Sequence, residues 1–213
     1  PHLYRLITEK QFDTVYHEHF SYLSFMTTVE IFAKAGLRVF DVEEIGTHGG
    51  SLRVSSCRAD STSHPTHPRV TALMERERAA GMFSRDFYHG LQSAAEKIKD
   101  ELVLFLVNSK TSGHKVLGYG AAAKGNTLLN FAGVKPDLLP SVADRSTFKQ
   151  GRFLPGTRIP IVSPEDLVAS RPTRVLVLAW NLRTEVATEL RGLGLKNCEL
   201  YTAIPQLEMY ERL

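Results

Sequence analysis

The chain has 213 residues and a formal net charge of +3. Its 43% hydrophobic and 23% charged residues are typical of a globular protein with a sizeable core. Lys and Arg are spread along the chain, which argues against a nucleic-acid partner. No apolar run approaches the roughly 20 residues that span a bilayer and no leader opens the chain, so we expect a cytoplasmic protein without a membrane partner.

The first 58 residues predict a helix followed by a strand hairpin. The stretch "TTVEIFAKAGL" predicts a helix with Thr28 as its N-cap and Gly36 as its C-terminal stop. The runs "RVFDVEEI" and "SLRVSSC", joined by a tight "THGG", predict two antiparallel strands. This order of elements is typical of the closing part of a domain.

Residues 15–25, "VYHEHFSYLSF", place two histidines and a glutamate among aromatic residues. Apolar residues that could bury the segment are Phe12, Val15, Phe20, Leu23 and Phe25. The His-Glu-His insert is not needed for such packing. It therefore raises the question of a chemical role.

A histidine beside a carboxylate can act as a general base, and a tyrosine can donate to a developing oxyanion. Tyr16, Glu18 and His19 can share one cleft only if the backbone is a loop or a turn. The alternative is a set of hydrogen-bonded histidines in the core or at an interface. We expect no metal site, because His17 and His19 have only His48 as an obvious third ligand.

Residues 59–69 carry Pro65 and Pro68 among Ser, Thr and His, and predict a linker. From about Val70 to Ser112 the pattern is helical, and Gly113 ends it. The apolar face at helical spacing consists of Phe87, Leu91, Ala94, Ile98, Leu102 and Phe105.

From residue 113 onward, short apolar runs alternate with helices, which predicts a parallel sheet covered on both faces. Residues 115–130, "KVLGYGAAAKGNTLLN", predict a strand, a glycine turn and a helix start. The helix amides and Lys124 would favour an anion such as a diphosphate. Asp144 ends the next strand, where an acidic residue often meets a ribose hydroxyl. The third glycine comes late, so a turn needed only for helix–sheet packing is the alternative.

The loop that follows is rich in basic residues. "DRSTFKQGRFLPGTRIPIVSPEDL" holds Arg145, Lys149, Arg152 and Arg158 just beyond a strand's carboxyl end. Ligands bind at that edge in open α/β sheets. These charges either contribute to a site for an anionic ligand or belong to a solvated loop.

The two cysteines, Cys57 and Cys198, lie far apart without CxxC spacing. Neither a disulfide framework nor a zinc site is indicated by that pattern. We expect both to be core thiols.

Five blocks in one order resemble the family of S-adenosylmethionine-dependent sugar C-methyltransferases, which act on nucleotide-linked keto-sugars. The resemblance covers nearly all of the chain. The blocks are "FDTVYHEHFSYLSF", "GLRVFDVEEIGTHGGSLRV", "GYGAAAKGNTLLN", "ADRSTFKQGRFLPGTRIPI" and "LAWNLRTEV".

The resemblance implies an α/β fold in three parts. Residues 1–58 would be the terminal part of a class I methyltransferase domain, 59–112 a linker with connecting helices, and 113–213 a Rossmann-like domain. The loop that holds S-adenosylmethionine and a zinc-binding module are expected upstream. This chain alone is therefore expected to bind neither and to be inactive.

The family's Tyr-x-Glu-His motif falls on Tyr16, Glu18 and His19. By resemblance, His19 removes the proton on the carbon next to the sugar ketone, with Glu18 beside it and Tyr16 lining the cleft. His48, in the "THGG" hairpin, could approach the same cleft.

The resemblance also implies a nucleotide-diphosphate keto-sugar as substrate. The candidates for holding it, or for shaping its cavity, are Lys124, Asn126, Asp144 and Arg158. Two other functions stay open: a non-catalytic nucleotide-sugar binding or subunit-contact module, and an NAD-dependent oxidoreductase indicated by the glycine turn. An apolar face left bare by the missing half could also support a homodimer.

Overall fold

The computed structural model describes residues 1–213 as an α/β chain. The predicted fold class is confirmed. The helices are α1 (Leu3–Thr8), α2 (Phe25–Lys34), α3 (Pro68–Ala79), α4 (Leu91–Thr111), α5 (Ala123–Phe131), α6 (Pro164–Ala169) and α7 (Arg183–Gly192). The strands are β1 (Leu37–Ile45), β2 (Ser51–Arg58), β3 (Val116–Tyr119), β4 (Val142–Ala143), β5 (Ile161–Val162), β6 (Arg174–Val177), β7 (Glu199–Thr202) and β8 (Glu208–Arg212).

The contacts within the chain define two compact units. The N-terminal unit consists of residues 1–12 and 17–93, and the C-terminal unit of residues 13–16 and 94–213. The short segment 13–16 thus groups with the C-terminal unit, although the chain on both of its sides groups with the other. The domain boundaries expected near residues 58 and 112 stay a prediction.

In the N-terminal unit, β1 and β2 pair antiparallel, as predicted. Helices α2 and α3 pack against β1, because each places apolar side chains on the face of the hairpin. The buried residues of this core are Phe25, Val39, Val42, Val70 and Leu73.

Helix α2 begins earlier than predicted. Its N-cap is Ser24, whose hydroxyl accepts a hydrogen bond from the amide of Thr27 at 3.0 Å. The prediction of Thr28 as N-cap is wrong, since Thr28 lies inside the first turn and its hydroxyl donates back to the carbonyl of Ser24. Gly36 follows the end of the helix with a φ of 72°, a left-handed conformation that suits glycine at this position.

The amides at the start of α2 are satisfied by a buried carboxylate from α3. Glu77 accepts from the amides of Phe25 and Met26 at 2.8 and 2.9 Å, and pairs with Nε2 of His2 at 2.9 Å. Burial alone would raise the pKa of Glu77, but the bonds from His2, Met26 and Phe25 together hold that pKa below its usual range. A buried charge with this many donors stabilises the start of α2.

Helix α4 begins at Leu91, so the predicted continuous face from Phe87 is wrong at its start. Phe87 lies in a separate 3₁₀ turn, which precedes the helix. Ile98 and Leu102 are buried, as predicted. The helix ends just before Gly113, whose φ is 76°. None of the helices combines the length and the apolar composition needed to span a bilayer.

The C-terminal unit contains a six-stranded sheet in the order β5-β4-β3-β6-β7-β8. The predicted parallel sheet is confirmed for five strands, and only β8 pairs antiparallel, with β7. From β3 the chain runs to β4 and β5 on one side, then crosses to β6 on the other. The carboxyl ends of β3 and β6 therefore form the topological switch point, where open α/β sheets bind ligands.

Cys198 is fully buried in the core of the C-terminal unit, which confirms it as a core thiol. Burial raises the pKa of this thiol to about 12. Cys57 is only partly buried, and both cysteines are unpaired.

We predict that Glu77→Gln lowers the free energy of unfolding by about 2–3 kcal/mol, because the amide removes the charge and one of the acceptors. Urea unfolding followed by circular dichroism measures the loss. Glu75→Gln, an exposed site two residues earlier on α3, is the control and should change stability by less than about 0.5 kcal/mol. Equal losses from both variants would contradict a special role for the buried carboxylate.

Candidate functional site

The histidine-rich stretch forms no α-helix. Between the 3₁₀ turn Phe12–Thr14 and the N-cap Ser24, the chain is irregular. This is the condition under which Tyr16, Glu18 and His19 can share a cleft. Tyr16 and His19 are partly buried, whereas Glu18 is exposed.

The side chains around the motif are packed differently from the prediction. Phe12 and Phe25 are buried, but Phe20 is 96% exposed and Val15 and Leu23 are also exposed. The expectation that all five bury the segment is therefore wrong. The ring of His19 instead meets Tyr22 edge-on, with 6.1 Å between the ring centroids.

His48 lies at the exposed tip of the β1–β2 hairpin, in a left-handed conformation with a φ of 56°. The neighbouring carbonyl of Gly49 accepts a hydrogen bond from the side-chain amide nitrogen, Nε2, of Gln11 at 2.8 Å. This bond ties the hairpin tip to the chain just before the motif. No group of three or more His, Cys, Asp or Glu side chains is placed to hold one metal ion.

A buried polar cluster lies at the switch point of the C-terminal sheet. Lys124, the second residue of α5, is only 6% exposed. Its ammonium lies 4.3 Å from the centroid of the Trp180 ring and donates to Oδ1 of Asn181 at 3.3 Å. On the other side, the indole N–H of Trp180 donates to Oδ2 of Asp13 at 2.7 Å.

Asp13 is fully buried, and its Oδ1 atom has no hydrogen-bond partner. Burial raises its pKa to about 6, although the bond from Trp180 and the charge of Lys124 oppose the rise. Burial likewise lowers the pKa of Lys124, against the opposing effect of Asp13. Perturbed titratable groups at a ligand-binding edge are typical of functional sites.

Sequence reasoning missed Asp13 and Trp180. Trp180 is the single tryptophan of the chain, and Asp13 stands just before the motif. Those signals are weak, because a contact between residues 167 positions apart depends on the tertiary fold.

Asp144 follows β4 at the same edge, as predicted. Its carboxylate accepts from the amide of Ser146 at 2.9 Å and from Lys149 at 3.2 Å. Lys149 also donates to the carbonyl of Ala121 at 2.9 Å. Lys149 thus joins the loop after β3 to the loop after β4.

A cavity of about 190 Å³ opens beside these loops, lined by Gly120, Asp144 and residues of α7. On its wall, Glu189 accepts from Arg145 at 2.7 Å and from the hydroxyl of Tyr119. Burial raises the pKa of Tyr119, and the bond to Glu189 adds to that rise. Ligand pockets commonly measure about 300–1,000 Å³, so this cavity suits one part of a nucleotide.

Two of the predicted substrate residues do not lie in this cluster. The side-chain oxygen of Asn126 accepts from Asn130 at 3.2 Å, along α5. Arg158 is exposed and precedes β5, so it lies toward the amino end of that strand. Lys149 and Arg145, from the same basic loop, lie at the carboxyl edge in its place.

The glycine turn serves both packing and backbone conformation. A Cβ atom on Gly118 would lie 2.7 Å from Val142, and one on Gly125 would lie 2.7 Å from Leu178. Packing alone therefore explains these two glycines. Gly120 has a φ of 98°, so the turn itself requires it.

Comparison with known proteins identifies the family of the chain. Residues 46–205 match the family model described as the C-methyltransferase C-terminal domain. A curated relative, the C-methyltransferase NovU of Streptomyces niveus, is 36% identical over 186 residues. These residues are 87% of this chain and 44% of the relative, so the chain spans less than half the length of the curated relative it matches.

We predict that Asp13→Asn changes the pH dependence of stability. The pKa of Asp13 rises from 3.8 to about 6 on folding, so the folded state binds the proton more tightly than the unfolded chain. Wild-type stability therefore falls as the pH rises from about 4 to 6. Asparagine does not titrate, so the variant should gain up to about 3 kcal/mol relative to wild type across that range.

Urea unfolding followed by the fluorescence of Trp180, at a series of pH values, measures this difference. Asp137→Asn, at an exposed site of the same unit, is the control. A difference between Asp13→Asn and wild type that stays constant with pH would contradict the prediction.

Proposed function

Because the chain belongs to the C-methyltransferase family, through that family's C-terminal domain, we propose that it is the C-terminal portion of a sugar methyltransferase. The reaction moves a methyl group from S-adenosylmethionine to a carbon alpha to a ketone of a nucleotide-linked deoxysugar. The observation that carries the proposal is the carboxyl edge of the C-terminal sheet, where a cavity of about 190 Å³ opens beside the glycine turn and is lined by Arg145 together with Asp144 and Glu189.

The nucleotide diphosphate binds at this edge. Helix α5 follows the glycine turn, and its N-cap residue, Ala122, makes no side-chain capping bond. The amides at a helix start and the helix dipole favour an anion. Lys149 and Arg145 lie on the neighbouring loop, paired with Asp144 and Glu189, and a phosphate would compete with these carboxylates for them. Lys124 adds its charge from the face of the Trp180 ring.

The chemistry belongs to the irregular segment that carries the motif. His19 removes the proton on the carbon next to the ketone, and Glu18 stabilises the charged imidazole. Tyr16 donates to the enolate oxygen that forms. When bound, S-adenosylmethionine would supply an electrophilic methyl group: the C–C bond to the enolate carbon would form as the S–CH₃ bond breaks, and the sulfur would leave as the neutral thioether S-adenosylhomocysteine.

We propose that the C-terminal sheet holds neither the methyl donor nor a dinucleotide. Asp144 holds the position of the residue that meets ribose hydroxyls in such sites, but Lys149 and the amide of Ser146 already engage its carboxylate. We therefore assign the donor site to a part of the protein upstream of residue 1. The same observation favours the methyltransferase over the oxidoreductase.

We predict that thymidine diphosphate binds this chain and that Lys149→Ala weakens binding about tenfold, because a charge-assisted hydrogen bond is lost. Isothermal calorimetry measures the affinity, with NAD and S-adenosylmethionine as ligands that should give no heat. Lys196→Ala, an exposed lysine just before β7 at the amino-end edge of the sheet, should leave the affinity unchanged. Equal weakening by both variants would contradict the placement of the nucleotide.

We predict that His19→Gln lowers kcat by a factor of about 10²–10⁴, because a general base is lost, while the affinity for the nucleotide stays the same. The assay uses a longer polypeptide that carries the donor site upstream of residue 1. His17→Gln, two residues away, is the matched control and should keep most of the activity. Comparable losses in both variants would contradict the role of His19 as the base.

A further inference from the structure

We propose that Asp13 is a positioning residue. Through Trp180, it holds the start of the segment 13–23, which carries Tyr16, Glu18 and His19 and is called the catalytic segment below, at the carboxyl edge of the C-terminal sheet. What this placement achieves, namely the orientation of Tyr16 toward the substrate, rests on the proposed function. The anchoring itself can be tested without it.

The start of the catalytic segment belongs to the C-terminal unit. Residues 13–16 group with the C-terminal unit, whereas residues 1–12 and 17–93 form the other unit. Asp13 and Thr14 are both fully buried. The bond from Trp180 to Asp13, at 2.7 Å, fixes this segment to the loop after β6.

Trp180 lies between two titratable side chains, Lys124 and Asp13. The cation of Lys124 lies over the face of the indole ring, and the carboxylate of Asp13 accepts from its N–H edge. A cation over the ring restrains the indole plane and thereby the direction of the N–H bond. Together, the three side chains link α5, the loop after β6 and the start of the catalytic segment.

The burial of Asp13 costs free energy. A buried carboxylate with one unpartnered oxygen is unfavourable, because desolvation is not fully offset by hydrogen bonds. An apolar side chain at position 13 would avoid that cost. A polar group kept at a ligand-binding edge despite its cost indicates a role in the site rather than in stability.

The geometry of the chain limits what this anchor can position. Tyr16 lies three positions after Asp13, so the two Cα atoms lie at most about 11 Å apart. Fixing Asp13 thus keeps Tyr16 near the edge where the nucleotide is proposed to bind. His19, six residues away, can lie as far as about 21 Å from Asp13, so the anchor constrains it less.

Hydrogen exchange of the intact chain, resolved by peptide, tests the anchor. Asp13→Ala and Trp180→Phe should each speed exchange of residues 14–20 by about tenfold, since each removes the same hydrogen bond. The double variant should be no faster than either single variant. Asp13→Asn should restore slow exchange, because its side-chain oxygen still accepts from the indole. Asp137→Ala, at an exposed site, is the control.

Unchanged exchange of residues 14–20 in Asp13→Ala would overturn the proposal. So would equal acceleration throughout the C-terminal unit, which would mean that Asp13 serves only global stability. Failure of Asp13→Asn to restore slow exchange would overturn the hydrogen bond to Trp180 as the anchor.

Turnover of the longer polypeptide tests the functional part. Asp13→Ala should lower kcat with the KM for the nucleotide-linked substrate unchanged, and Asp13→Asn should recover kcat. A change in KM alone would overturn positioning of Tyr16. If the wild-type polypeptide shows no turnover, the proposed function fails, while the exchange experiment still decides whether Asp13 anchors the segment.

Discussion

The candidate site depends on one hydrogen bond, from the indole of Trp180 to the buried carboxylate of Asp13. Residues 13–16 group with the C-terminal unit, whereas the residues on both sides of them group with the other unit. The bond fixes the start of the segment that carries the Tyr-x-Glu-His motif to the edge at which α/β sheets bind ligands. In the proposed function, this keeps Tyr16 near the nucleotide.

The two buried carboxylates of the chain show how donors decide the state of a buried acid. Glu77 is met by two amides and by His2, and its pKa lies below the usual range despite burial. Asp13 accepts from the indole N–H of Trp180, and the backbone at Asp13 and Thr14 also lowers its pKa, but burial outweighs them and raises that pKa to about 6. The first arrangement stabilises a helix start. The second leaves Asp13 with a protonation state that responds to pH and to nearby charges at the carboxyl edge of the C-terminal sheet.

Much of the fold could be predicted from the sequence, because local patterns carry it. The hairpin follows from two alternating runs around "THGG", and the parallel sheet from short apolar runs between helices. The predictions failed where a distant residue decides a local structure. Thr28 is an acceptable N-cap by type, but Ser24 and Glu77 satisfy the amides one turn earlier, and Glu77 lies 52 residues from Phe25.

The candidate site shows the same division. Asp144 could be placed at the carboxyl end of its strand, because strand order and position follow from pattern. Arg158 could not, since the loop after β4 returns to the amino end of β5 before the strand begins. Lys124 shows why sequence alone could not settle the site. Its position at the start of α5 suggested an exposed cation that binds an anion, but the fold buries its side chain against Trp180 and Asn181. In the proposed function, a nucleotide at this edge would meet Lys149 and Arg145 first, and Lys124 would act on it through its electric field rather than by direct contact.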